Sequence, residues 1–242
     1  MPRTPSVTRG RASEERRRRA GTANARAFRR RLLAWYRRHR RNLPWRATRD
    51  PYAILVSEIM LQQTQVARVE TYWPRFVDRY PTVGDLAAAS ADAVRESWDG
   101  LGYYARARNL HAAARAIVRD HAGAFPRDPG ALRRLPGIGR YTAAAVASIA
   151  FGSDVGTVDT NVARVLARAF RLRGPAKSAR RARRLWALAD ALVPAGRAGD
   201  WNQALMDLGA TICTARGPRC GRCPVAPVCG SRDRYAPRTP EA

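Results

Sequence analysis

Leu135-Pro136-Gly137-Ile138-Gly139-Arg140-Tyr141-Thr142 closes one helical pattern and opens another that runs through Ala143 to Ile149. Its two glycines allow a tight hairpin and a close approach of backbone to a partner. The helix that follows presents unsatisfied N–H groups and the positive end of its dipole, the arrangement that receives a phosphate. A bare Gly-x-Gly turn also serves as a plain structural corner, so the reading leans on the basic composition around it. The stretch reads as a helix-hairpin-helix in which Gly137, Gly139 and Arg140 meet a phosphate backbone. Outward from it, from Ala23 on, helical patterns follow one another with Pro and Gly between them. Leu110, Ala113, Ala114, Ile117 and Val118 carry the amphipathic spacing, as do Val162, Val165, Leu166 and Phe170. No long alternating strand pattern intervenes, and the fold class is all-α.

A chain of 242 residues with 45% apolar content suffices for one large domain or two small ones. No stretch approaches the roughly 18–20 uninterrupted apolar residues of a membrane span. The N-terminus opens on Pro and Arg rather than an apolar signal core. The expectation is no membrane partner and a cytoplasmic, nucleoid-associated location if bacterial, nuclear or mitochondrial if eukaryotic. A net charge of +26 points to a polyanionic partner, because a duplex rewards a basic face by releasing condensed counterions. An Arg bias also follows from a GC-rich genome, and 15 of the 45 basic residues fall between Arg3 and Arg41. Residues 1–22 lack apolar periodicity and read as a disordered basic arm, and residues 231–242 as a flexible tail.

Two acids stand apart from the ordinary surface. Glu58, in Ile54-Leu55-Val56-Ser57-Glu58-Ile59-Met60-Leu61, shares a helical face with Ile54, Leu55 and Leu61. Burial there raises its pKa and keeps a proton available at neutral pH. Asp159, in Val158-Asp159-Thr160-Asn161-Val162, precedes a helix, where an N-cap role alone would account for it. Together they form the pair that breaks an N-glycosidic bond: an acid for the leaving base and an anion for the oxocarbenium-like sugar.

The four cysteines, Cys213, Cys220, Cys223 and Cys229, are separated by six, two and five residues. Confined to the last thirty residues, they do not resemble a secreted disulfide framework. Four thiolates in one short loop hold zinc or a 4Fe-4S cluster, and the compact, uneven spacing favours the cluster. Arg216, Arg219 and Arg222, interleaved among them, are positioned to meet phosphates. His39, His111 and His121 lie far away and read as surface residues.

In combination, certain runs resemble the adenine DNA glycosylase (MutY) family of the helix-hairpin-helix superfamily. They are Leu43-Pro44-Trp45-Arg46, the run from Ser57 to Val66, Gly100-Leu101-Gly102-Tyr103-Tyr104-Ala105-Arg106, the hairpin, the segment Val158 to Val165, and Asn202 to Gly209 leading into the cysteines. The resemblance covers about residues 25–230. It implies a six-helix barrel over 44–152 and a second helical domain, from 23–43 and 153–230, that carries the iron-sulfur loop, with the DNA cleft between them. It implies that Glu58 protonates adenine N7, that Asp159 stabilises the sugar cation and is positioned by Asn161, and that Tyr141 lies near the flipped nucleotide. Gln63 and Tyr103 match residues that wedge into the base stack, and Trp45, Arg46 and Gln203 match the lining of the adenine pocket. A 4Fe-4S cofactor, a monomer, and double-stranded DNA containing mispaired adenine complete the expectation.

Two departures bear on it. Family members usually carry Gly where this chain has Thr160, a feature of endonuclease III-like relatives. The sequence also stops soon after Cys229, where many members continue into a domain that recognises oxidised guanine; the resemblance is to a short form without it. A mismatch thymine or uracil glycosylase is therefore the nearest alternative, and a non-catalytic DNA-binding module a more distant one. A glycosylase with lyase activity ranks lower, because Tyr141 stands where a hairpin Lys would form the Schiff base, and Lys177, the only Lys, lies in a polar stretch between helices.

Overall fold

A computed structural model describes the backbone of residues 7–175 and 178–235, with side chains from Ala23 onward. Among these residues every regular element is a helix. α1 (Val7–His39) leads into α2 (Pro51–Met60), α3 (Val66–Arg79), α4 (Val83–Ala88), α5 (Ala91–Ser97), α6 (Ala105–His121), α7 (Pro129–Leu132) and α8 (Arg140–Ala150). α9 (Thr160–Ala169), α10 (Ala179–Leu192), α11 (Ala198–Thr211) and α12 (Arg232–Tyr235) follow. No helix among the described residues is long and apolar enough to cross a membrane.

The helix starts are written in the sequence. Asp50 accepts from the amides of Tyr52 and Ala53 ahead of Pro51, and Thr82 and Asp85 form a reciprocal capping box. Ser90, Asp128, Asp159 and Ser178 each accept from an amide in the first turn of the helix they precede. Such caps satisfy donors that a helix leaves unpaired.

Burial divides the apolar residues into two cores. One gathers residues between Leu43 and Ala147 around Phe76, Trp98, Leu110 and Ile117. The other joins Phe28, Leu32 and Tyr36 of α1, spaced so that one face of that helix is apolar, to Leu166, Trp201 and Leu208. Trp201 meets Phe28 edge to face at 5.9 Å. α8 packs on both α2 and α11, so the two cores meet across it. Asn202, fully buried, bridges that junction. Its amide nitrogen donates to Ser148 Oγ (3.0 Å) and the Val155 carbonyl (2.9 Å), and its oxygen accepts from the Thr157 amide (3.1 Å).

Three sequence expectations are corrected. α1 begins at Val7, inside the segment read as a disordered arm. Arg and Ala are strong helix formers, and the segment is rich in Arg. The segment read as a flexible tail opens with the helical turn α12, whose Tyr235 ring lies 4.4 Å from the Arg168 guanidinium. His111, read as a surface residue, is only 7% exposed, on the face of α6 that meets the core. Residues 1–6 and 236–242, and Lys177, lie outside the described residues.

Replacing Asn202 by Ala strands the Thr157 amide and the Val155 carbonyl in the interior. The expected loss is roughly 2–6 kcal/mol in urea unfolding, since each of the two orphaned groups costs about 1–3 kcal/mol. A change under about 0.5 kcal/mol would show that the junction does not need this side chain.

Candidate active site

α2 is buried on every side from Tyr52 to Met60, so its one carboxylate has no solvent face to occupy. Glu58, 6% exposed, has its pKa raised from 4.5 to about 7. Burial is the main cause and the negative charge of Asp159 adds to it; a hydrogen bond with Tyr141 and the charge of Arg46 pull the other way. Near neutral pH this carboxyl is a proton donor in wait. The Tyr141 phenol, raised well above 10 by burial, is neutral, and its hydroxyl also lies 3.8 Å from Met206 Sδ.

Asp159 does two things at once. One oxygen caps α9 by accepting from the Val162 amide at 2.6 Å, and the other accepts from Asn161 Nδ2 at 3.1 Å. The N-cap accounts for one oxygen only, and the carboxylate also lines the cleft. Asn161 is held in turn by Arg164, whose Nη2 donates to its oxygen (2.6 Å) and to the Gly209 carbonyl (2.8 Å), while Nε donates to the Cys213 carbonyl (2.7 Å). α11 approaches this closely because residue 209 is Gly: a Cβ there would stand 2.6 Å from that of Asn161.

A cleft of about 770 Å³ opens over these groups. It brings together Glu58, Tyr141, Asp159 and Asn161, and with them Trp45, Arg46, Gln63 and Gln203. Arg46 is not free in it. Its guanidinium grips Asp207 with two bonds, Nη1 at 2.7 Å and Nη2 at 3.0 Å, and Arg41 Nε donates to the same carboxylate at 2.6 Å. Asp207 is fully buried, and sequence reading assigned it no role. Its partners lie more than 160 residues away, so no local spacing announces the pairing.

Tyr103 stands outside the cleft, 61% exposed, on the loop after Gly102. It and Gln63 share a rare feature: both have left-handed backbone, φ 49° and 56°. At the hairpin, Gly137 has φ 70°, and a Cβ on it would meet that of Asn109 at 2.5 Å. Gly139 caps α8 with no side-chain bond, leaving first-turn amides open to an anion. Arg140 folds back over Trp186, 3.9 Å from the ring centroid, and reaches Asp190 at 3.4 Å.

Cys213, Cys220, Cys223 and Cys229, none of them in a disulfide, line one cavity with Arg168 and Val225. Burial pushes the Cys223 thiol up to about 11, and the neighbouring cysteines add to it. Among the described residues no three His, Cys, Asp or Glu side chains are drawn onto a single-ion site.

Residues 56–191 match the family model of the HhH-GPD superfamily base excision DNA repair proteins. The chain belongs to this superfamily. It is 48% identical over 221 residues to the adenine DNA glycosylase of Homo sapiens and 50% identical over 196 residues to that of Mycobacterium tuberculosis. These alignments take in 88% and 80% of this chain, which spans 40% of the human protein's length and 64% of the mycobacterial one. Among solved structures, a thermostable thymine-DNA glycosylase superposes with a TM-score of 0.82 at 34% identity, covering 89% of this chain and 99% of that one.

Because folding raises the Glu58 pKa from 4.5 to about 7, the stability it lends is complete below 4.5 and is lost as pH rises through about 7. Glu58→Gln has no carboxyl to ionise. Its stability relative to the unsubstituted protein should therefore rise by up to roughly 3 kcal/mol between about pH 4.5 and pH 8, read by urea unfolding. A difference that does not change with pH would place Glu58 in water.

Proposed function

We propose that the chain is a monofunctional DNA glycosylase that hydrolyses the N-glycosidic bond of adenine mispaired with guanine or 8-oxoguanine in double-stranded DNA, acting as a monomer. The observation that carries this is one cleft holding two carboxylates in different settings: Glu58, buried and at about 7, and Asp159, capping a helix and held by Asn161. Departure of a purine needs a proton on the base and a negative charge near the sugar. Glu58 gives its proton to adenine N7, which makes the base a neutral leaving group. Asp159, held by Asn161, stabilises the positive charge left on the deoxyribose until water adds. Tyr141 lies beside the flipped nucleotide, and Trp45, Arg46 and Gln203 line the base pocket. Gln63 and Tyr103 wedge into the gap in the stack, and Gly137, Gly139 and Arg140 hold the backbone. Adenine is favoured by the high identity to the human and mycobacterial adenine DNA glycosylases.

The four cysteines are suited to a 4Fe-4S cluster. They lie within one short stretch and line one cavity together, and four thiolates are the ligand set that such a cluster takes. Bound there, the cluster would supply a redox-capable centre that orders the loop bearing Arg216, Arg219 and Arg222.

A second reading, excision of thymine from mispairs with guanine, rests on the superposition, over 89% of this chain, on the thymine-DNA glycosylase. Single-turnover assays on duplexes with adenine or thymine opposite guanine, and adenine opposite 8-oxoguanine, decide between them. Adenine release is expected, leaving an intact strand with an abasic site that breaks only in alkali. The rate should fall as pH rises above about 7, because the acid must hold its proton. Glu58→Gln should bind the mispair and lose roughly 10²–10⁴-fold in rate. Thymine release without adenine release would establish the second reading.

Purified protein should be brown and contain about four iron atoms per chain. Stoichiometric zinc without iron, in protein prepared anaerobically, would overturn the cluster assignment.

A further inference from the structure

Arg106, 8% exposed at the start of α6, is buried and pairs with no carboxylate among the described residues. Its guanidinium is solvated by main-chain carbonyls, and each terminal nitrogen serves a different loop. Nη1 donates to Ile59 (3.0 Å), Met60 (2.6 Å) and Gln62 (2.6 Å), the end of α2 and the turn before Gln63. Nη2 donates to Leu101 (3.1 Å) and Gly102 (3.0 Å), the turn before Tyr103. The guanidinium carbon lies 5.5 Å from the centroid of Trp98 and 5.6 Å from that of Tyr103.

This is a costly way to join two loops. A desolvated cation with no counter-ion is expensive, and at the start of α6 the charge also opposes that helix's dipole. What offsets it is the C-terminal end of α2, whose last carbonyls have no partner within the helix and attract positive charge. An apolar side chain would fill the space at lower cost but would hold neither turn. Both turns need holding: each delivers a non-glycine residue in left-handed backbone, Gln63 and Tyr103, and such residues persist only where the surroundings over-determine them.

We infer that Arg106 is a positioning residue, a strut that fixes the separation of the two wedge loops so that Gln63 and Tyr103 enter the base stack as a unit. The inference rests on the wedge role given to these two residues above. A planar fork is required, because its two ends reach opposite ways; the ammonium of Lys is a single point charge.

The test uses the full chain carrying its metal centre, with Arg106→Gln and Arg106→Lys. Unstacking is read from 2-aminopurine at the pair flanking the mispair, in duplexes bearing adenine or thymine opposite guanine, alongside single-turnover excision across pH. In Arg106→Gln, unstacking and excision should fall together by about tenfold or more, with Arg106→Lys between it and the unsubstituted protein and with an unchanged pH midpoint. In a Tyr103→Ala, Gln63→Ala background, Arg106→Gln should add less than about twofold, since a strut has nothing left to aim. Undiminished unstacking in Arg106→Gln, a shifted pH midpoint, or a full multiplicative loss in the wedge-less background would each overturn the inference. Should Arg106→Gln fail to fold, Arg106→Lys carries the same cycle. If the unsubstituted protein unstacks both duplexes but excises no adenine, the adenine reading fails while the strut is still tested by the fluorescence.

Discussion

The chemistry of the cleft depends on α2 having no side that faces water. A helix buried all round must be apolar, and α2 is, apart from Ser57, which bonds back to the Ile54 carbonyl, and Glu58. An acid in that position cannot be hydrated, so it keeps its proton to about pH 7 unless a cation comes close. Arg46 is the nearby cation that could stabilise the ionised form, and it is already bonded through both ends of its fork to Asp207. The proton on Glu58 is therefore a consequence of packing, with the electrostatic surroundings arranged not to undo it.

The two cores are held in register by polar groups that few other positions could accommodate. Asn202 satisfies three partners at the junction, and Asp207 draws Arg41 and Arg46, one on either side of Leu43, onto α11. Breaking either would strand a buried polar group, so these contacts fix geometry more than they add net stability. The cleft lies where the cores meet, and its shape follows from how rigidly they are held.

Much of this was legible in the chain because it is local. The hairpin glycines, the cap at Asp159, the apolar neighbours of Glu58 and the cysteine spacing all sit within a few residues of what they affect. Asp207, Arg164 and Arg106 were not legible, since each also bonds partners between 44 and 166 residues away and a lone Arg or Asp on a helix reads as solvated surface. The helical start of α1 and the turn at Tyr235 were missed for a related reason: polar composition argued for disorder where helix propensity and a ring over Arg168 prevailed. His111 was misplaced because a single polar residue on an amphipathic helix gives no sign of which edge of the apolar face it occupies.

The left-handed backbone at Gln63 and Tyr103 has a bearing on how this protein could be engineered. Non-glycine residues in that conformation are strained by roughly 1–2 kcal/mol each, which glycine would relieve without disturbing the fold. A screen for heat resistance that ignores activity would therefore favour glycine at both positions and discard the two side chains proposed to enter DNA. Thermal robustness and grip on the substrate compete at these two residues, and any improvement of one has to be sought elsewhere in the chain if the other is to survive.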